Sequence, residues 1–570
     1  MSDDLLLLPT PRAITRGAGT VAVPRSITVS GAPAAMLAVF PGFVAADSGW
    51  CVCRIDGTVG DKAEAYRLTV TAGATPAVRI DARDLPGLRW GLATLTQMVR
   101  IHPDALPALV IEDAPAFTHR GAMLDISRDR VPTMPELKKL IDHLASWKQN
   151  HFQLYVEHTI AYVGHEDAWR AASPLSLDEI SELDAYAAAR GIALIANQNC
   201  FGHVERWLRH ARYAPLGELD RPHMRHGSWY LEPSTLCPTD PRSLELVRDW
   251  LGQLLPRCSG AFANVGCDEP WDLGIGRSKA ACEATSSKSI FSTFVSQIAK
   301  EVVKLGKRPQ FWCDPHPNED DALPRDLIAL VWGYDSTTDF TTRIRSHRAL
   351  GREAWVCPGT NNWGSWTSRT SNRRGNLAKA TSQGLADGAT GFLMTEWGDN
   401  GHRQQWPLTL FGFADGAQAA WSGSAECDDR ASGLHALGSA ALGAWLAEFG
   451  DADHQCGVSV FHDSSMNLWD VTSDVAPWCD LVARYTAMES RLPGVGGLIE
   501  RECRHALACA RWGAERAVTR RTNLTLATRQ TMATQMCDII AEHRALWRER
   551  SRPGGLEDST QHYRRHAVWY

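Results

Sequence analysis

Two acidic residues, Asp268 and Glu269, stand side by side at the end of an apolar run, in the segment NVGCDEPWDLGIGRS at 264–278. Neighbouring carboxyl groups repel each other when both are ionised, and the repulsion raises one pKa, which suits a general acid working near neutral pH. Successive strand residues point to opposite sides, so both acids can address one ligand only where the pleat ends, and Pro270 favours such an ending. In a purely structural alternative, both acids merely lie near the start of the next helix, where negative charge is favourable.

Further polar and aromatic residues follow comparable apolar runs along the chain. They are Asp125, Arg128, Glu157, His158, Asn197, Asn199, His203, Trp312, Asp314, Trp332, Tyr334, Asn361, Trp363, Glu396, Trp397 and Asp399. Carboxylates, amides and indoles with only a few histidines favour a carbohydrate site, because flat indole faces stack on the C–H faces of sugar rings. Metal-dependent barrel hydrolases usually carry an HxH at the first strand, where this chain has DIS at 125–127. We therefore predict neither a metal nor a cofactor.

Eight strand-like apolar runs must position these residues. They lie at 121–127, 151–157, 192–198, 262–268, 308–314, 327–334, 352–359 and 391–398. Helical patterns separate most of them, and two of the helices begin with predicted capping boxes, Thr133 with Glu136 and Ser176 with Glu179. Strands buried on both faces and separated by helices pair in parallel with right-handed crossovers. Eight such units predict a closed (β/α)8 TIM barrel, whose active site lies at the carboxyl ends of the strands.

The rest of the chain predicts two flanking regions. The expected division is a small non-catalytic α/β domain at 1–115, the catalytic barrel at 116–430 and a helical C-terminal region at 431–570. In the first region, strands are predicted at Thr20–Val23, Tyr66–Val70 and Ala77–Ile80 and a helix at Leu85–Ile101. In the last region, helical periodicity covers Leu498–Gly513 and Thr531–Arg548.

Composition limits the possible partners. The 59 basic and 65 acidic residues give a formal net charge of −6 without long charged runs, which argues against nucleic acid and anionic lipid as partners. The 22 tryptophans are about three times average usage. Fifteen cysteines without a CxxC indicate reduced thiols, and the N-terminus MSDDLLLLPTPR lacks the features of a signal peptide. The chain has no run of eighteen apolar residues that could span a membrane. The reduced thiols lead us to expect a cytoplasmic protein, and the oligomeric state leaves no signal in the sequence.

The motifs resemble glycoside hydrolase family 20. The segment HRGAMLDISRDR at 119–130 looks like the entry to that family's barrel, and NVGCDE at 264–269 looks like its strand-four motif ending in Asp-Glu. NQNCFGHVERW, FWCD, VWGY and TEWGD match further strand ends in the same order. With the preceding α/β domain, the similarity spans about 430 residues. It implies an exo-acting β-N-acetylhexosaminidase that removes terminal GlcNAc or GalNAc.

The resemblance also implies roles for individual residues. The 2-acetamido oxygen of the substrate would attack C1 and form an oxazolinium ion, Glu269 would be the general acid and base, and Asp268 would hold the acetamido N–H. Arg120 matches an arginine that binds the 3- and 4-hydroxyls, and His203 a histidine near the acids. Residues matching the aromatic box around the acetamido methyl are Trp312, Trp332 and Trp397. Glu396, Asp399 and Asp314 are candidates for the 4- or 6-hydroxyl.

Two departures from the family pattern concern the site. Many members carry Thr-Asp-Asp after the second strand, with an acid that hydrogen-bonds the catalytic neighbourhood. This chain has Glu157, His158 and Thr159 there, so Glu157 and His158 are the candidates for the role of that acid. Many also carry a Tyr-x-Asp near the seventh strand whose hydroxyl binds the acetamido oxygen, and CPGTNNWGSW at 357–366 has no tyrosine. The candidate substitutes are Asn361, Trp363 and Tyr334.

Two other functions stay open at this point. One is a retaining β-glycosidase acting on sugars without an acetamido group, with Glu269 as acid and Glu396 or Asp314 as nucleophile. The other is a carbohydrate-binding protein without catalysis, which the presence of both acids disfavours, because a binder has no need of a protonated buried glutamate.

Overall fold

A computed structural model describes residues 5–128, 130–225, 229–314, 322–461, 474–522 and 524–567. The chain begins with a mixed seven-stranded sheet in the order β1-β7-β5-β6-β4-β2-β3. Its strands are β1 (Ala13–Ala22), β2 (Ile27–Ser30), β3 (Phe43–Ala45), β4 (Cys51–Ile55), β5 (Tyr66–Val70), β6 (Val78–Ala82) and β7 (Ala105–Asp113). A short helix α1 (Ala34–Leu37) and a long helix α2 (Leu85–Ile101) accompany it. Alternate residues of β5 and β6 are buried, as expected where one sheet face packs on a helix.

Ten strands follow. They are β8 (His119–Asp125), β9 (His151–Val156), β10 (Ala193–Gln198), β11 (His223–Arg225), β12 (Trp229–Leu231), β13 (Phe262–Asn264), β14 (Arg308–Cys313), β15 (Ile328–Trp332), β16 (Ala354–Cys357) and β17 (Gly391–Glu396). Strands β11 and β12 pair as an antiparallel ribbon, and the other eight close a barrel in the order β10-β13-β14-β15-β16-β17-β8-β9. All eight barrel pairings are parallel. Each of the eight apolar runs thus supplies one barrel strand.

Helices surround the barrel. They are α3 (Met134–Ser146), α4 (Glu166–Trp169), α5 (Leu177–Ala189), α6 (Glu205–Leu208), α7 (Pro241–Leu254), α8 (Lys279–Ala284), α9 (Ser287–Lys304), α10 (Thr341–Ala349), α11 (Thr370–Ala386) and α12 (Trp406–Ser422). The predicted capping box of α5 is present: Ser176 accepts from the Glu179 backbone N–H, and Glu179 accepts from that of Ser176. The predicted box at Thr133 is wrong. Thr133 makes no side-chain capping bond, and the Glu136 side chain binds Arg550 and Lys139.

The C-terminal part is helical where the structure describes it. Its helices are α13 (Asp429–Leu437), α14 (Ala440–Gly450), α15 (Ala452–Gln455), α16 (Ala476–Ser490), α17 (Gly497–Thr522), α18 (Leu526–Arg550) and α19 (Leu556–Ala567). Arg550 joins this region to the barrel: its guanidinium lies 2.5 Å from Glu502 of α17 and 2.5 Å from Glu136 of α3, and all three side chains are buried. The predicted fold, a TIM barrel between a small α/β domain and a helical region, is confirmed. Within the described ranges no helix is long and apolar enough to cross a bilayer.

Candidate active site

The two adjacent acids lie on the turn that follows a barrel strand, beyond the last residue of that strand. Strand β13 ends at Asn264, and Gly266, Cys267 and Glu269 then take positive φ angles of 64°, 68° and 48°. A Cβ at Gly266 would lie 2.5 Å from Asn199, so only glycine fits this close approach. The turn brings both Asp268 and Glu269 to the wall of one pocket, instead of to opposite faces of a strand.

Asp268 is buried and held by neighbouring donors. The Asn199 side-chain amide donates to its Oδ1 at 2.7 Å, and Nε2 of His203 lies 3.5 Å from its Oδ2. Burial alone would raise the pKa of Asp268, but the charges of His203 and Arg128 together with the hydrogen bond from His203 lower it below its ordinary value. Although burial disfavours a charged imidazole, the nearby Asp268 and the hydrogen bonds to both acids raise the pKa of His203 well above its usual range. Asp268 is therefore a carboxylate, suited to accept an N–H or face a cation.

Glu269 differs from its neighbour in exposure and contacts. Its side chain is 31% exposed, and its Oε2 lies 3.4 Å from Nε2 of His203. The indole N–H of Trp271 donates to the same oxygen at 3.2 Å. In the part of the chain that the structure describes, Oε1 carries no hydrogen bond. One carboxylate oxygen of Glu269 is thus fixed by donors and the other is open to a ligand.

Asp314, directly after β14, supports the turn. Its Oδ2 accepts the backbone N–H of Glu269 at 2.9 Å, which helps to hold Glu269 in its positive-φ conformation. Burial and then the charge of Asp268 raise the pKa of Asp314 to about 8. Asp314 thus supports the turn through Oδ2, while its Oδ1 has no hydrogen-bond partner among the described residues, so its role as a hydroxyl ligand stays a prediction.

Aromatic side chains form the rest of the pocket. It is lined by Arg128, His203, Asp268, Glu269, Trp312, Trp332, Tyr334, Trp397 and Asp399. Trp312 and Trp397 meet edge to face at 5.6 Å, and Trp332 stacks on Tyr334 at 5.3 Å. The indole N–H of Trp397 donates to the Tyr334 hydroxyl oxygen at 2.7 Å, so the O–H of Tyr334 is available to donate to a ligand.

Arg128 supplies a guanidinium to the pocket. Its guanidinium lies 3.0 Å from Asp125, 3.0 Å from Glu157 and 4.0 Å from Asp399. It also lies over the rings of Tyr155 and Trp397, at 4.9 and 5.2 Å. Burial, only partly offset by Arg128, raises the pKa of Glu157 to about 8. Sequence reasoning placed Arg128 among the strand ends but gave it no role, and its position three residues after Asp125, past the end of β8, was the available signal.

Arg120 lies away from the pocket, which corrects the sequence-based expectation. It is the second residue of β8, at the end of the strand opposite to the pocket. Its fully buried guanidinium binds Glu64 of the N-terminal domain at 2.5 Å and the carbonyl of Phe117 at 2.9 Å, and it packs on Trp421. Arg120 therefore joins the N-terminal domain to the barrel instead of binding a ligand.

Glu396 is also outside the pocket. It is fully buried, and four side chains donate to its two oxygens: Thr360 and Asn362 to one, Gln404 and Thr409 to the other. Its neighbour Trp397 lines the pocket, so strand alternation turns Glu396 towards the helix layer. All its acceptor positions are directed at the protein, which leaves none for a sugar hydroxyl.

The remaining predicted residues support or border the site. Asn361 is buried and accepts from Arg369, and Trp363 meets Tyr334 edge to face at 5.0 Å behind the pocket wall. His158 lines a separate cavity with Arg206 and Arg209. Among the described residues, no three side chains of the metal-binding types are grouped to hold an ion.

Comparison with protein families finds two matching models. The model described as glycosyl hydrolase family 20, catalytic domain, matches residues 117–359, and the one described as glycosyl hydrolase family 20, domain 2, matches residues 50–114. Together they cover more than half of the chain.

Named relatives align with about half of this chain. A β-hexosaminidase of Vibrio furnissii is 27% identical over 292 residues, which is 45% of this chain and 46% of that protein. A β-N-acetylhexosaminidase of Cellulomonas fimi is 29% identical over 314 residues, 52% of this chain and 58% of the relative. The chain thus spans about half the length of these relatives.

Solved structures share the fold. The exo-β-N-acetylglucosaminidase of Vibrio harveyi in complex with N-acetylglucosamine superposes with a TM-score of 0.61 at 17% identity, over 78% of each chain. A chitobiase of Flavobacterium johnsoniae gives a TM-score of 0.61 at 16% identity, over 93% of this chain and 96% of that chain. The likeness therefore includes the region that follows the barrel.

Proposed function

We propose, because the chain belongs to glycoside hydrolase family 20, that it is an exo-acting β-N-acetylhexosaminidase that hydrolyses terminal GlcNAc or GalNAc with assistance from the substrate's acetamido group. The observation that carries the proposal is the pair of unlike acids on one pocket wall, a buried ionised Asp268 and a part-exposed Glu269 with one oxygen open. The relatives are named as enzymes of this activity, which supports it. The pocket is lined by aromatic rings and by a few charged groups, which suits a sugar ring with an apolar face and polar hydroxyls.

In the first step, the acetamido carbonyl oxygen attacks C1 and the bond from C1 to the leaving oxygen breaks. Glu269 gives its proton, carried on Oε1, to that oxygen. Asp268 accepts the acetamido N–H and faces the positive charge that develops on the oxazolinium ring. In the second step, Glu269 takes a proton from water, whose oxygen bonds to C1. The bond from C1 to the oxazolinium oxygen breaks, which restores the acetamido group. The reaction retains the β configuration.

The acetamido group is assigned to the aromatic side of the pocket. Trp312, Trp332 and Trp397 would enclose its methyl and exclude water from the oxazolinium. Tyr334 would take the place of the family's missing tyrosine. Burial raises the pKa of Tyr334 well above its ordinary value, so the hydroxyl keeps its proton, and Trp397 occupies its acceptor side. Its O–H is then directed to the acetamido oxygen.

The hydroxyl groups of the sugar are assigned to the charged side. Arg128 and Asp399 line the pocket together. Such a pair can bind two neighbouring hydroxyls, because the guanidinium donates to one hydroxyl oxygen and the carboxylate accepts from the other hydroxyl. His203 bridges this side to the acids. The carboxyl group of Glu157 lies 3.0 Å from the Arg128 guanidinium and helps to hold it in place.

A conventional enzyme nucleophile has little support in this pocket. The sequence offered Glu396 and Asp314 for that role. Glu396 is enclosed by four protein donors, and Asp314 is bonded to the backbone of Glu269 with a pKa raised to about 8. A nucleophile must be ionised and open to C1, and neither carboxyl group meets both conditions.

The proposal is tested with aryl β-glycosides of N-acetylglucosamine, N-acetylgalactosamine, glucose and galactose. We expect turnover only of the two acetamido sugars, and strong inhibition by a thiazoline that mimics the oxazolinium. Comparable turnover of the glucoside or galactoside would show a conventional two-carboxylate mechanism instead. Sugar binding without turnover of any substrate would identify a carbohydrate-binding protein.

Arg128→Lys is expected to lower kcat/KM for the acetamido substrates by about 10- to 100-fold. A lysine ammonium cannot keep the forked contacts with Asp125 and Glu157, so the hydroxyl ligands lose their geometry. Arg120→Lys is the matched control, the same substitution near the other end of the same strand. It should lower the melting temperature and leave kcat/KM within about threefold of wild type. An equal loss of activity in both variants would contradict the assignment of Arg128.

We also propose a reducing compartment, the cytoplasm, as the place of action, supported by the fifteen cysteines, all of which are free thiols. The division at 1–115, 116–430 and 431–570 remains our working proposal for the domains. It is supported by the change from the mixed sheet to the barrel and from the barrel to helices.

A further inference from the structure

The loop after the last barrel strand brings Asp399 to the pocket and then forms a left-handed turn. Asn400, Gly401 and His402 take positive φ angles of 62°, 87° and 51°. A backbone of this kind is unfavourable for residues with a Cβ, such as Asn400 and His402, and persists only where the surrounding structure holds it. Asp399 directly precedes the turn, and its Oδ1 lies 4.0 Å from the Arg128 guanidinium in the pocket. The contacts that hold the turn therefore also place the carboxylate of Asp399.

The turn itself supplies few of these contacts. The backbone N–H of His402 donates to the carbonyl of Gly398 at 2.8 Å, and the N–H of Gly398 donates to Asp125 at 2.9 Å. The ring of His402 is buried, yet neither of its nitrogens has a hydrogen-bond partner among the described residues. Hydrogen bonds thus tie the two ends of the turn together, and packing has to hold its middle.

The terminal helix α19 supplies that packing. A Cβ at Gly401 would overlap Cδ2 of His562 and lie 3.1 Å from the Cα of Ser559, so the turn and the helix are in direct contact. His562 and Ser559 are three positions apart and therefore share one face of α19. The middle of the turn thus has to be a glycine, both for its φ angle and for its closeness to the helix.

The helix is fixed well enough to act as a support. Ser559 is fully buried, and its Oγ lies 2.9 Å from Nε2 of His543 in α18. Tyr563 is also fully buried, and the centre of its ring lies 4.6 Å from that of His543. Asp558 of the same helix lies 3.1 Å from Arg206 of the barrel helix α6. Helix α19 is therefore anchored both to the terminal helices and to the barrel.

We propose that His562 is a positioning residue of the active site: together with the backbone of α19 it holds the turn at 400–402, and the turn holds the carboxylate of Asp399 where it accepts from a hydroxyl of the terminal sugar. The inference rests on the proposed function, which assigns Asp399 to the sugar hydroxyls, and it extends the site to the C-terminal helical region. Asp268 and Glu269 follow a different strand, β13. A shift of the turn should therefore weaken sugar binding and leave the chemical step largely intact.

The test compares wild type, His562→Ala, Asp399→Ala and the double variant, all in the full chain, with 4-nitrophenyl N-acetyl-β-glucosaminide as substrate. His562→Ala leaves a gap beside Gly401, and we expect KM to rise about five- to tenfold while kcat stays within about twofold of wild type. Asp399→Ala should raise KM at least as much. The double variant should have the KM of Asp399→Ala, because a shift of the turn can weaken binding only where there is a carboxylate to displace.

Gln561→Ala is the matched control, since Gln561 is the exposed neighbour of His562 on the same helix. Its KM and kcat should equal those of wild type. His562→Gln fills most of the space of the imidazole and should give a KM between those of wild type and His562→Ala. The melting temperature of each variant checks that it is folded, and His562→Gln takes the place of His562→Ala if the latter is not.

A KM of His562→Ala within about twofold of wild type would overturn the proposal. So would a double variant in which the two increases in KM multiply, because the helix would then act independently of Asp399. If Asp399→Ala leaves KM unchanged, the assignment of Asp399 to a hydroxyl fails and this proposal fails with it. If Asp399→Ala raises KM and His562→Ala does not, only this proposal fails.

The proposed activity can fail separately. If wild type cleaves none of the aryl glycosides, the Kd for N-acetylglucosamine from calorimetry takes the place of KM, with the same variants. A weaker affinity in His562→Ala that disappears in the Asp399→Ala background would then support the positioning role without the hydrolase. Equal affinity in wild type and His562→Ala, or no binding at all, would overturn it.

Discussion

Glu269→Gln is expected to lower kcat/KM for N,N′-diacetylchitobiose by about 10³-fold, the middle of the range for loss of a general acid and base. Glutamine keeps the volume of the side chain and can still accept from Trp271, but it has no proton to give to the leaving oxygen. The loss should be smaller for a 4-nitrophenyl glycoside, because a good leaving group needs little protonation.

The fold of this variant is checked by its melting temperature, which should stay close to that of wild type because Glu269 is partly exposed. An activity within tenfold of wild type on both substrates would remove Glu269 from the catalytic role. An equal loss on both leaving groups would show that the residue acts in a step other than protonation.

Asp268→Asn is expected to lower kcat by about 10²- to 10³-fold on every acetamido substrate, whatever the leaving group. The carboxylate accepts the acetamido N–H and offsets the charge of the oxazolinium. The amide oxygen of asparagine can still accept the N–H, but a neutral side chain cannot offset that charge. The pKa of Asp268 lies below its ordinary value, so wild type keeps this charge as the pH falls through the range where exposed aspartates protonate. The acid limb of the wild-type profile should therefore not originate from Asp268.

Inhibitors give an internal control for this variant. Affinity for the thiazoline mimic should fall with kcat, because that ligand resembles the intermediate, whereas affinity for free N-acetylglucosamine should change less. Equal losses for the two ligands would mean that Asp268 binds the ground state and the intermediate alike. The pKa of His203, which Asp268 raises in wild type, should decrease in the variant, and NMR titration can follow it.

Much of the architecture could be predicted from local pattern. Apolar runs of strand length between amphipathic segments predicted all eight barrel strands, and helix α2 has the predicted bounds, Leu85–Ile101. Such patterns work because a strand buried on both faces must be apolar throughout and because helix periodicity is set within a few turns. The glutamate half of the predicted box at Thr133 is lost to a non-local contact: the Glu136 side chain binds Arg550, more than four hundred positions away in the chain.

The site was harder to predict, because side-chain direction depends on the end of each strand. Glu396 and Trp397 are neighbours, yet one faces the helix layer and the other the pocket. Strand β8 begins at His119, which places Arg120 at the opposite end of the barrel from the acids and leaves Arg128 to supply the cation. The left-handed turn at Cys267 and Glu269 also has no strong local signature beyond Gly266 and Pro270.

The contacts of Arg550 have a consequence for the evolution of the chain. This arginine binds Glu502 within the terminal helices and Glu136 at the start of the first barrel helix, and all three side chains are buried. A buried charge that loses its partner costs several kcal/mol, about 3–5 in measured cases. Recombination that joined this barrel to unrelated terminal helices would leave Glu136 without Arg550, unless the new helices placed a cation at the same point. The terminal helices and the barrel are therefore expected to be inherited together, with changes at positions 136, 502 and 550 occurring in concert.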